Sequence, residues 1–328
     1  MSELLQSSRE LIRSSTQMPS KREDYVELVT KSIDWMEAIG VNVHSSSRYN
    51  SYRKTLNMYA TGKPPKESNS WGRELSKEIV NAKYEAHEID RIRRYFEGYE
   101  PDGITDKLQL VVNGPIHFDK EMHNSGKSAL ARNTQLELYI GGYMRRFGFD
   151  ISYGGHKHPE PLVEVDGKMI GFECKRLAVA KPKAIRRNIE RAAKQLEERI
   201  SDGYCETGII HINISKILNP RGMTLMGSHE DDLLASEARF NALQFFRSFA
   251  EPFPFQDHNN IEALTVNYSH LANFNPGTDD DQYVQHMMEK ERQSGSSLVS
   301  AARNVLRENN TTDIDGYVIS SKSLEVSD

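Results

Sequence analysis

Glu160, Glu173 and Lys175 are the residues of this chain whose types and spacing could do chemistry together. Asp166-Gly167 lies between two strand-like runs, and such a pair favours a type I′ hairpin turn because that turn needs two positive φ angles. With that turn, paired residue numbers sum to 333, so Val163 faces Ile170, Pro161 faces Phe172, and Glu160 faces Glu173. Directly opposed side chains have Cβ atoms about 4.5–5.5 Å apart, where two like charges repel unless something offsets them. A divalent cation would offset them. Lys175 stands two residues beyond Glu173 on the same strand face, where an ammonium could orient or deprotonate a water held by that cation.

The same alternation gathers Val163, Val165, Ile170, Phe172 and Cys174 on an apolar core face. The opposite, charged face of a hairpin is ordinarily solvated, and two features besides Lys175 weigh against that reading. Between Lys175 and Arg199 stand nine basic residues and three acidic ones, in a chain whose net charge is −5. Arg176, Lys181, Lys183, Arg186, Arg187, Arg191 and Lys194 form a surface that phosphates would find attractive. Glu137 lies at the border of the apolar stripe of the preceding helix, about 100° from Leu136, where it could point toward the same site.

The elements that must position these residues follow from periodicity. Leu136, Tyr139, Ile140, Tyr143 and Phe147 mark a helix closed by Gly148; strands are predicted over Phe149–Tyr153, Leu162–Val165 and Met169–Lys175. Ala184–Ile200 reads as a helix and Gly208–Ile214 as a buried strand. Arg239–Phe249 then resembles a helix, Ile261–Tyr268 a strand, Gly277–Asp281 a loop, Leu298–Arg307 a helix and Ile314–Ser320 a final strand. Residues 1–120 read as a mainly helical region, with helices ending at Gly40 and spanning Glu74–Phe96. Residues 41–72, with three consecutive serines and Pro64-Pro65, read as an irregular connection. Residues 121–328 are assigned to an α/β domain with a C-terminal extension.

Helix with Glu137, strand, Pro159-Glu160, hairpin, Glu173-Cys174-Lys175, then a helix carrying Gln195, resembles the PD-(D/E)xK nuclease superfamily. The resemblance covers residues 128–215 and implies a restriction-endonuclease-like core, a mixed central sheet flanked by helices. It implies a Mg²⁺-dependent endonuclease, with Mn²⁺ as an alternative ion. Carried over by position, Glu160, Glu173 and the Cys174 carbonyl bind the metal, Lys175 assists the attacking water, and Glu137 and Gln195 are additional site residues. The chain departs from the family's usual pattern in having Glu160 where Asp is common; Asp150 is a second candidate ligand. The resemblance further implies a DNA substrate, homo-oligomerisation and a role in anti-phage defence or restriction; the helical region 1–120, outside it, is a candidate for targeting, regulation or oligomerisation and for contact with partner proteins.

Composition sets the other bounds. A chain of 328 residues, 37% hydrophobic and 27% charged, can build a core without staples. Two cysteines, an amino terminus lacking a continuous apolar stretch and no run of about 18 apolar residues lead us to expect a cytoplasmic protein with no membrane partner. No GxxxxGK[ST] loop supports ATP chemistry. His156, His158 and Glu160 are a conceivable zinc set, and Glu230-Asp231-Asp232 and Asp279-Asp280-Asp281 conceivable cation clusters, but such groups are more often solvated loop residues. The principal alternative is an inactive restriction-endonuclease-like module that binds nucleic acid or assembles proteins; a third reading is a protein-interaction scaffold.

Overall fold

The computed structural model of the chain describes residues 8–17, 22–62, 74–116, 127–146, 148–154, 158–165, 167–219, 224–226, 240–273, 281–291 and 317–320. Strand β1 (Ser8–Gln17) precedes helices α1 (Arg22–Ala38), α2 (Arg48–Ala60), α3 (Glu74–Phe96), α4 (Ile104–Val112) and α5 (Lys127–Arg146). Next come β2 (Asp150–Gly154), β3 (His158–Val165), β4 (Lys168–Arg176), α6 (Pro182–Ser201), β5 (Thr207–Asn213), the short α7 (Ser215–Leu218) and β6 (Leu225–Met226). A helical stretch from residue 240 runs into a π-helical turn, Phe246–Ala250. It is followed by β7 (Ile261–Asn273), β8 (Asp281–Glu291) and β9 (Tyr317–Ser320).

The strands form one mixed sheet in the order β2-β3-β4-β5-β7-β8-β1-β9, with β6 beside β7. Strands β4, β5 and β7 run parallel, and β2, β3 and β4 form antiparallel pairs. The seven residues of β5 are all buried, as expected of a strand covered on both faces. One face carries Val163, Val165, Ile170, Phe172 and Cys174 into a core shared with buried residues of α1 to α5, among them Tyr25, Leu56, Ile92, Leu108 and Leu138. The other carries Ile210, Ile212, Leu264 and Val266 against Ile185, Ile189 and Leu196 of α6 and Phe246 of the π turn. The helices before residue 120 and the sheet therefore share one core, and packing is continuous across that position.

Two expectations need correction. Residues 41–72 contain a helix, α2: Ser47 accepts a hydrogen bond from the Asn50 backbone N–H, and Tyr49, Tyr52 and Leu56 bury its inner face. Before residue 120 the helices α1 to α4 are accompanied by one strand, β1, which pairs antiparallel with β8. Strand β8 itself has no counterpart among the expected elements and begins at Asp281, the last residue assigned to a loop. The expected helix at 298–307, residues 230–232, 279 and 280, and His156 lie outside the described residues.

Candidate active site

The hairpin expected from residues 166 and 167 is the one observed. Gly167 has a φ of +76°, and Leu162 pairs with Gly171, Val163 with Ile170, Glu164 with Met169 and Val165 with Lys168. The expected pairs Pro161–Phe172 and Glu160–Glu173 are not part of it: beyond Leu162 and Gly171 the ladder between β3 and β4 ends, while β4 stays paired with β5 through Arg176. Pro159 and Pro161 have no N–H to donate, so β3 cannot continue a full ladder there. Glu160 and Glu173 sit at this fork.

Glu173 is 1% exposed, so the charged face of the hairpin is covered rather than solvated. What covers it is α6, which approaches closely where Gly171 and Gly208 lack side chains; a Cβ on either would collide with Leu196 or Cys205. That approach delivers Arg199. Its Nη1 donates to the Phe172 carbonyl at 2.7 Å and lies 3.6 Å from Glu160 Oε2 and 3.7 Å from Glu173 Oε2. The two carboxylates thus converge on one guanidinium nitrogen, and on the other oxygen of Glu173 Lys175 Nζ donates at 2.5 Å. Burial, above all, pushes the Glu173 carboxyl up to about 7; the ammonium of Lys175 pulls it down, and Glu160 raises it further.

Within this cluster Glu160 Oε2, Glu173 Oε2, Gln195 Oε1, and Nε and Nη2 of Arg199 are buried with no hydrogen-bond partner among the described residues. Gln195 and Arg199 are one turn apart on α6, along the edge of its buried face. Two carboxylate oxygens lacking hydrogen bonds and aimed at one point are a donor set suited to a hard divalent cation. Among the described residues, no group of three or more His, Cys, Asp or Glu side chains is arranged to hold one. Glu137 falls short of being a third: Lys107 of α4 donates to its Oε2 at 2.5 Å. Burial raises the Glu137 carboxyl, Lys107 opposes that, and the nearby Glu160 adds to it.

The other expected residues divide between the two faces of β4. Cys174 is 1% exposed in the core, and burial holds its thiol well above its usual range, so only its backbone carbonyl is available to the site. Lys181, Lys183, Arg186, Arg187, Arg191 and Lys194 are exposed. No acid stands in the first turn of α6, so these cations reinforce the positive end of the helix dipole, which costs helix stability and favours an anion outside. Arg176 departs from this group: alternation turns it to the α5 side, where it is half-buried, and its backbone N–H donates to Asn133 Oδ1. Asp150 is exposed and paired with Arg145, on the strand beyond β3. The side chain of His158 lies outside the described residues.

Arg199 and Lys107 are the residues that sequence reasoning missed. Arg199 carried a signal, being a cation four residues after Gln195 and three after the buried Leu196; Lys107, 30 residues before its partner, carried none. Compared with protein families, curated proteins and solved structures, the chain matches none.

Proposed function

We propose that this protein is a metal-dependent nuclease of the PD-(D/E)xK kind, with a restriction-endonuclease-like core, that hydrolyses phosphodiester bonds in DNA. The observation that carries this reading is the convergence of Glu160 and Glu173 beside Lys175, at a sheet fork next to the exposed cationic face of α6. Glu160, Glu173 and the Cys174 carbonyl would hold Mg²⁺ or Mn²⁺, with Glu137 joining them on release from Lys107. When bound, the ion supplies charge stabilisation to the attacked phosphate and the leaving oxygen. Lys175, tethered to Glu173 Oε1, keeps an ammonium where it can orient a water toward the phosphate. Gln195 has a buried amide oxygen able to accept from that water, and α6 binds the backbone independently of sequence.

A second reading, a module that binds nucleic acid without cutting it, has one observation in its favour: Arg199 already supplies both carboxylates with a positive charge. One experiment separates them. Plasmid and single-stranded DNA are incubated with the wild type, Glu173→Ala and Lys175→Ala in Mg²⁺ and in Mn²⁺. We expect cleavage by the wild type that falls at least about a hundredfold in each variant while DNA binding is retained. Binding without cleavage by the wild type favours the module, and equal cleavage by the variants defeats the assignment.

A further inference from the structure

On the opposite face of the sheet from α6, α2 and the segment before it border an open cleft of about 750 Å³, within the size range of small-molecule sites. One wall is a single face of α2, where Asn50, Arg53, Lys54, Asn57, Met58 and Thr61 recur at helical spacing; Val43 and Ser45 form the other. This face is opposite the buried Tyr49, Tyr52 and Leu56, so core packing does not dictate its residues. It contains no acid. No Asp or Glu occurs anywhere between Glu37 and Glu67, although acids outnumber bases 47 to 42 over the chain, while Arg48, Arg53, Lys54, Lys63 and Lys66 all fall there.

The charges lining the cleft are uncompensated. Arg93, Arg94, Arg145 and Arg199 each have a carboxylate within 4 Å, but among the described residues neither Arg53 nor Lys54 does. Behind the helix, Arg48 and Arg132 both pair with the carboxylate of Glu85. An anion in the cleft would therefore meet two cations at its walls, with the amide of Asn57 and the hydroxyl of Ser45 as further donors; Asn50 already donates to the Val43 and His44 carbonyls, and Thr61 to that of Asn57. Val43 and Met58 offer an apolar surface for an organic body.

We infer that this cleft is a binding site for the phosphate group of a nucleotide, carried either by a free nucleotide or by a nucleic-acid strand. Several adjacent donors suit a group with many acceptor oxygens, and Arg53 can engage two of them at once. The site is independent of the proposed chemistry at Glu160 and Glu173, and stands or falls separately from it.

The test is calorimetric titration of the full chain with ATP. A single-stranded DNA oligonucleotide is titrated in parallel, with α6 stripped by Arg186→Gln, Arg187→Gln and Arg191→Gln. Each is repeated with Arg53→Gln and Lys54→Gln together, with Arg53→Lys, and with Lys31→Gln, an exposed lysine of α1 outside both sites, as a control. Each charge-assisted bond removed should weaken binding about tenfold or more, so the double variant loses about a hundredfold. Arg53→Lys, which keeps the charge but gives up the paired donors, should lose about threefold to tenfold, and the control should leave ATP binding unchanged. A loss confined to ATP identifies a free nucleotide as the ligand; a loss confined to the oligonucleotide identifies a strand. Absence of binding to both probes, or equal binding by the double variant, overturns the inference.

Discussion

Removing the guanidinium from beneath the two carboxylates should be the costliest single change at the fork. Arg199→Met keeps the length and most of the apolar stem of the side chain, so little packing is lost. It does remove the Phe172 carbonyl's donor and a positive charge within 4 Å of Glu160 Oε2 and Glu173 Oε2. Arg199 is 2% exposed and Glu173 1%, and for pairs this buried, loss of one partner costs about 3–5 kcal/mol. Against the roughly 5–15 kcal/mol that holds an ordinary domain together, that is a large fraction. The assay is urea unfolding of the wild type, Arg199→Met, the pair Glu160→Gln and Glu173→Gln, and the triple variant. If the cost arises from stranded charge, it should shrink to about 1 kcal/mol when both acids are already amides, since the coupling is then gone. A cost below about 1 kcal/mol in the wild-type background, or one unchanged by the amides, would refute the claim that Arg199 is the counter-charge of the site.

Two further expectations concern other parts of the molecule. Neutralising Arg186, Arg187 and Arg191 should weaken DNA binding and flatten its dependence on log salt concentration by about 0.9 for each phosphate no longer neutralised by the protein, as measured by anisotropy titrations over a salt series. His211 is fully enclosed by Thr265 and Asn267, and burial pushes its imidazole down to about 4 from an ordinary 6.5. Its folded state therefore resists protonation: the stability it contributes is present above pH 6.5 and is lost as pH falls toward 4, a change of roughly 3 kcal/mol. Unfolding midpoints measured across that window should drop for the wild type and stay flatter for His211→Asn.

The parts of the site that sequence made legible are those governed by local geometry. A two-residue turn fixed the pairing of β3 with β4, alternation then sorted Val163 and Phe172 from Glu173, and helical spacing located α3, α5 and α6. The enclosure of the acidic face was not legible, because it depends on α6 settling onto Gly171 and Gly208, two residues whose importance lies in what they lack. Helix α2 was obscured by the serines and prolines around it, although Tyr49, Tyr52 and Leu56 have helical spacing and Ser47 is a capping residue. Strands β1 and β8, SRELIRSSTQ and DQYVQHMMEKE, show no clean alternation to betray them. Lys107 meets Glu137 only through the packing of α4 on α5.

The tight bend at Gly167 also governs how this gene could drift. Loops at the periphery usually accept an inserted residue with little effect. Here one extra residue between positions 166 and 167 would slide β3 along β4, and because side chains alternate, Glu160 would swing from beside Glu173 to the opposite face of the sheet. A stretch of chain with no chemistry of its own is therefore under the same length constraint as the acids it aligns, and insertions in this hairpin would be expected only where the pairing of those acids no longer matters.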